Sequence, residues 1–109
     1  MATFDILVLP GDGIGPEVVA EGVRALEVIG QKYEHVFRMT EDIVGGACID
    51  AHGTALREET LAKAKASDAV LFGAVGGPKW DIPTASVRPE QGLLALRSGL
   101  QLWANLRPV

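Results

Sequence analysis

The sequence predicts an α/β domain on a mostly parallel sheet, and three observations predict it. Two short, nearly unbroken apolar runs, Phe4–Leu9 (FDILVL) and Ala69–Val75 (AVLFGAV), read as strands covered on both faces. Stretches of helical spacing stand between and after them, and glycines cluster where the strands end. Such alternation brings right-handed crossovers and places ligands beyond the carboxyl ends of the strands.

Taken in order, Pro10-Gly11 closes the first strand. Val19, Val23, Leu26 and Ile29 then recur at helical spacing, with Pro16 suited to a first turn and Gly30 to a stop, which predicts a helix over residues 16–30. Val36, Phe37, Met39 and Ile43 among polar residues predict a second strand over His35–Ile43. Gly45-Gly46 and Gly53 punctuate a predicted loop. Glu58–Ala66, rich in Ala, Leu, Glu and Lys, predicts a helix before the third strand. Gly76-Gly77-Pro78 and Pro83–Pro89 make a proline-punctuated loop; Leu93, Leu96 and Leu100 predict a helix over Glu90–Leu102, and a further strand is expected to begin near Trp103.

At 109 residues the chain has room for one core, and folding would bury roughly 65% of its unfolded surface. With 48% apolar residues, 22% charged residues and a net charge of −4, the composition is that of a globular protein rather than a disordered one. The ten Lys and Arg residues are scattered among acids, so no basic stripe exists for a phosphate backbone and no nucleic-acid partner is expected. No apolar stretch approaches the ~18 residues of a spanning helix, and Met1–Asp5 has no basic lead into an apolar run, so no membrane partner and a cytoplasmic setting are expected. Cys48, the one cysteine, forms no internal disulfide and is expected as a small buried residue.

Three segments carry chemistry. Gly11-Asp12-Gly13-Ile14-Gly15-Pro16 joins the first strand to the first helix where a dinucleotide fingerprint would stand, but position 16 is proline, not the glycine that lets helix and strand pack closely. A tight turn, with or without a ligand nearby, is what remains. Gly73–Asp81 (GAVGGPKWD) leaves a buried strand with little side-chain bulk; it either admits a cofactor to the backbone or is a structural loop with Trp80 as a plug. In Arg88–Arg97 (RPEQGLLALR), followed by Asn105-Leu106-Arg107-Pro108, the planar forks of Arg97 on a helix and Arg107 on the next strand suit a carboxylic acid substrate, the alternative being solvated surface arginines. Glu90, Leu93, Leu94 and Arg97 fall on one helix face, mixing two charges with two leucines; the rival reading turns the leucines to the core and lets the charges snorkel.

Together, LPGDGIGPE (Leu9–Glu17), GGACID (Gly45–Asp50), GAVGGPKW (Gly73–Trp80), RPEQGLLALR (Arg88–Arg97) and NLRP (Asn105–Pro108), in this order and nearly end to end, resemble the isocitrate/isopropylmalate dehydrogenase family, above all its members that oxidise isopropylmalate. The resemblance implies that residues 1–109 are the amino-terminal part of the first, cofactor-binding α/β domain, the remainder of the enzyme being absent, and that NAD binds without the Rossmann fingerprint. It implies NAD contacts from Ile14 and from the loop Gly77, Pro78, Lys79, Trp80, Asp81, Ile82, Pro83, Thr84, Ala85, Ser86, Val87, Arg88, Pro89 and Glu90. On the substrate side it implies Arg97 and Arg107 as a carboxylate clamp, Leu93 and Leu94 around an isopropyl group, and Glu90 beside them.

The implied reaction converts 3-isopropylmalate to 2-oxoisocaproate, a step of leucine biosynthesis. A hydride passes to NAD, the β-carboxylate leaves as CO2 and the enolate is protonated, with Mg2+ or Mn2+ stabilising its charge. Isocitrate, homoisocitrate or tartrate oxidation and a noncatalytic regulatory subunit are the alternatives. Paired leucines favour isopropylmalate: an apolar pocket contributes roughly 1.5–3 kcal/mol for a branched aliphatic group, and stranding a carboxylate there costs more. The family's tyrosine and lysine proton-transfer groups and its metal-binding aspartates align beyond this chain, so no catalytic residue and no metal ligand is expected in it. Asp12, Asp50 and Asp81 are expected to cap turns. Ala55-Leu56-Arg57 departs from the family where a proline is expected. The chain is expected to be a piece of a homodimeric enzyme, inactive and unstable by itself.

Overall fold

Three parallel strands carry the molecule in the computed structural model, which describes residues 1–109. The central strand, β1 (Thr3–Gly11), pairs on one side with β2 (Val36–Glu41) and on the other with β3 (Ala69–Ala74). Ile6 lies opposite Met39 on one neighbour and Ala69 on the other. Because side chains alternate along a strand, Ile6 and Val8 face one way and Leu7 and Leu9 the other, which is why β1 is apolar at every one of these positions. Ile6 and Val8 pack with Val19, Val23 and Leu26 of α1 (Gly15–Tyr33). On the opposite face, Leu7 and Leu9 pack with Val44, with Ala64 of α3 (Glu58–Ala66) and with Leu96 of α4 (Glu90–Gly99); α2 (Gly46–His52) precedes α3 in the chain.

The expected α/β class and parallel sheet are present, and several boundaries differ for identifiable reasons. Strand β1 runs through Pro10 to Gly11, because the pairing with β2 has ended at Val8–Glu41 and the missing proline N–H removes no ladder bond there. Helix α1 continues past Gly30 to Tyr33 and ends at Glu34, whose φ is +59°. Gly30 is a packing position rather than a stop: a Cβ there would stand 2.9 Å from the carbonyl oxygen of His35 as the chain turns back. The loop expected at Gly45–Gly53 contains α2, and α4 ends at Gly99, two residues before Gln101 at φ +56°. No strand forms from Trp103. Residues 101–109 are exposed throughout and have no neighbouring strand to complete their hydrogen bonds.

The chain exposes 7247 Å², against about 5,800 Å² for a folded monomer of its size. Both outer strands present a bare edge, and Trp103 is 95% exposed.

Candidate functional site

A cleft of about 410 Å³ opens where β3 ends, lined by Val75, Gly76, Gly77, Pro78, Trp80, Asp81, Pro89 and Glu90. This is the carboxyl end of the sheet, where parallel α/β folds place ligands. Helix α1 reaches it because Gly15 has no side chain; a Cβ there would run into the Pro10 carbonyl oxygen and the Ala74 backbone. The close packing that position 16 denies is thus supplied one residue earlier.

Asp12 organises the cleft from below. Its own N–H donates to the Ala74 carbonyl at 2.7 Å. Its carboxylate, only 5% exposed, accepts from the backbone N–H groups of Gly46 at 2.6 Å, Ala47 at 2.8 Å and Gly76 at 3.0 Å. The first two are donors that the opening turn of α2 cannot satisfy internally. The third belongs to the glycine-rich turn. One side chain therefore joins three segments far apart in the sequence, a larger role than the expected turn cap.

The far wall is built on α2. Trp80 belongs to a 3-10 turn, Pro78–Trp80, and its indole lies where a side chain at Gly46 would stand. Asp50 on α2 accepts from the Trp80 indole N–H at 3.2 Å and pairs with the Lys79 ammonium at 2.6 Å. Lys79, followed by Trp80, holds the Asp50 carboxyl below the usual carboxylate range. Beyond Trp80 the loop folds on itself: Ile82 N–H donates to the Trp80 carbonyl, Ala85 N–H to that of Ile82, and the Gln91 side chain bridges Ser86 and Arg88. Arg88 sits between Asp81 at 3.6 Å and Glu90 at 3.7 Å.

Of the residues expected at NAD, Gly77, Pro78, Trp80, Asp81, Pro89 and Glu90 share the cleft; Pro89 is buried and Glu90 exposed. Lys79 points to Asp50, Ile82, Pro83, Thr84 and Ser86 stand in solvent, Ala85, Val87 and Arg88 are half-buried, and Ile14 lies exposed on the β1–α1 loop. Glycine is required at position 76 by its φ of +99°, and a Cβ there would stand 3.2 Å from Glu90 Oε1.

Helix α4 buries Gly92 and Leu96 against the core, so its other face looks outward. Leu94 is 60% exposed there, Leu93 half-buried, and Glu90 and Arg97 flank them. Arg97 borders a second hollow, of about 150 Å³, with Leu102, Trp103, Ala104 and Asn105. Arg107 lies on the exposed stretch beyond, not on a strand, because that stretch has no partner to pair with. The two arginines thus do not line the cleft of the glycine turn. They are, however, the two of six arginines without an acid partner, since Arg24, Arg38, Arg57 and Arg88 all have one.

One polar cluster escaped the sequence reading. Asp42, just past β2 and 8% exposed, accepts from Ile43 N–H, Thr60 Oγ1, Arg57 and Lys63 at 2.6–3.0 Å. Burial alone would push its carboxyl up; these donors more than offset that and bring it down to about 2. The buried Arg57 Nε has no partner, and burial pushes the thiol of neighbouring Cys48 up. No three His, Cys, Asp or Glu residues gather as metal ligands.

Residues 5–109 match the pattern of the isocitrate/isopropylmalate dehydrogenases. The chain is 65% identical to a 3-isopropylmalate dehydrogenase of Anaeromyxobacter dehalogenans, covering 95% of this chain and 30% of that protein. With its namesake from Hydrogenovibrio crunogenus the identity is 61%, covering 97% and 30%. Among solved structures, the apo form of a β-decarboxylating dehydrogenase from Thermococcus kodakarensis superposes with a TM-score of 0.69 at 35% identity, covering 92% of this chain and 27% of its own. The chain spans about 30% of the length of the curated relatives it matches. The five motifs, the parallel sheet and these likenesses converge: the chain belongs to the isocitrate/isopropylmalate dehydrogenase family.

Proposed function

We propose that these residues form the amino-terminal part of the first, cofactor-binding domain of an NAD-dependent enzyme that converts 3-isopropylmalate to 2-oxoisocaproate and CO2. The relatives at 57–65% identity bear the name of that activity. The observation that carries the reading is the outward face of α4, where Leu94 stands 60% exposed between Glu90 and Arg97. An apolar side chain held in water beside two charges is what a pocket for a branched, carboxylate-bearing substrate needs.

In this reading Leu93 and Leu94 receive the isopropyl group, and Arg97 and Arg107, free of acid partners, neutralise the carboxylates. Glu90, reaching both the cleft and this face, marks where cofactor and substrate meet. Ile14 and the loop Gly77–Glu90 hold NAD, which when bound supplies the hydride acceptor. The glycine turn contributes backbone and open space, and the Asp12 carboxylate keeps that backbone in place. In this reading Mg2+ or Mn2+ would be held by aspartates that align beyond this chain and would stabilise the enolate charge. The remainder of the enzyme also covers the bare sheet edges, and the assembled enzyme is a homodimer.

In the full-length enzyme, Leu93→Ser with Leu94→Asn is expected to lower kcat/KM for 3-isopropylmalate by about 10–100-fold, the loss matching the burial of a branched aliphatic group. Arg97→Ala is expected to raise the Michaelis constant for the same substrate. Steady-state kinetics check both, and unchanged values in the leucine variant would place the pocket elsewhere.

A further inference from the structure

We infer that Asp50 is a positioning residue: from α2 it grips Lys79 and Trp80 and so fixes the glycine-rich turn that lines the cleft. The inference rests on the reading above, in which that turn meets NAD. Consecutive residues of the 3-10 turn, Lys79 and Trp80, bond to the two oxygens of one carboxylate, Oδ2 at 2.6 Å and Oδ1 at 3.2 Å. Lys79 Nζ also stands 5.5 Å from the centre of the Trp80 ring, whose indole rests on Gly46 of the same helix. At its other end the turn is tied through Gly76 N–H to Asp12, and the same Asp12 oxygen accepts from Gly46 N–H. Helix α2 is therefore the frame, holding one end of the turn directly through Asp50 and Gly46 and the other through the shared Asp12 carboxylate.

Between those fastenings only short local bonds hold the turn, Trp80 N–H to Gly77 at 3.1 Å and Asp81 N–H to Pro78 at 3.3 Å. Neither defines where the turn sits relative to the rest of the domain. Lys79 and Asp50 are 68% and 42% exposed, and a solvent-exposed ion pair of this kind contributes little to global stability. What the grip supplies is confinement. Freed from Asp50, the indole leaves Gly46, the turn samples more positions, and a cofactor that uses its backbone meets a disordered wall.

The test uses the full-length enzyme as wild type, Asp50→Ala and Asp50→Asn, with amide hydrogen exchange over residues 76–81, the Michaelis constants for NAD and 3-isopropylmalate, kcat and Tm. Asp50→Ala is expected to speed exchange in that segment about tenfold and raise the constant for NAD about fivefold, with kcat and the constant for 3-isopropylmalate within about twofold. Asp50→Asn, whose amide oxygen still accepts from Trp80, falls between. Unchanged exchange would overturn the grip. Faster exchange with an unchanged constant for NAD would overturn the positioning role, as would equal rises in both constants with a fall in Tm, the mark of a general structural defect. A wild-type enzyme showing no NAD-dependent turnover of 3-isopropylmalate would overturn the proposed function instead, and the exchange result would then judge the grip by itself.

Discussion

Two buried carboxylates stand just past neighbouring strand ends, Asp12 after β1 and Asp42 after β2, and they are satisfied in opposite ways. Asp12 faces three backbone N–H groups, two from the opening turn of α2 and one from the glycine-rich turn. Asp42 takes one backbone N–H and then a hydroxyl, a guanidinium and an ammonium, fastening β2 to α3. Backbone donors fix where a chain runs, so the first arrangement shapes a cleft. Cations on side chains fix where a helix sits, so the second holds the fold beside it.

The largest expected effect breaks the second arrangement. Asp42→Ala in the full-length enzyme removes the buried acceptor shared by Thr60, Arg57 and Lys63 and leaves the largely buried Arg57 to Glu59 alone, which costs about 3 kcal/mol in chemical denaturation. A loss under about 1 kcal/mol, the range of an exposed pair, would show that water replaces the carboxylate and that the two sites are less different than their geometry. Next comes Asp12→Ala, which strands donors at the start of α2 and at Gly76 and is expected to cost about 2–3 kcal/mol, together with weaker NAD binding by titration. Normal NAD affinity in that variant would remove Asp12 from the cleft's architecture.

Acid provides the smallest and sharpest separation. The carboxyl of Asp42 titrates near 2 in the folded chain against an ordinary 3.8, so its contribution is present in full above pH 3.8 and fades as the pH falls through about 2. That contribution is about 2 kcal/mol, from the rule that one pKa unit is worth about 1.4 kcal/mol. Denaturation of wild type and Asp42→Asn across this window should converge at the acid end; a constant gap would mean that the cluster does not titrate with Asp42.

What was legible in the sequence was whatever a short window contains. The apolar runs gave β1 and β3, the Ala, Leu, Glu and Lys composition of Glu58–Ala66 gave α3 with its observed bounds, and the glycines after β3 marked the cleft. Helix α2 was missed because the group that satisfies its first turn lies 34 residues away in Asp12, while its own ends are glycines that resemble a loop. The Asp42 cluster was invisible for the same reason, its cationic partners standing 15 and 21 residues downstream. Arg97 was foreseen on a helix and is there, whereas a strand under Arg107 requires neighbours that no local pattern supplies.

Cys48 lies on the inner side of α2, fully buried, with its thiol pushed up by that burial. A neutral, enclosed sulfur is a poor nucleophile, so oxidants reach it only when the packing around α2 opens. The helix that frames the far wall of the cleft also shields the chain's single thiol, and chemical damage and a collapsed wall share one opening event.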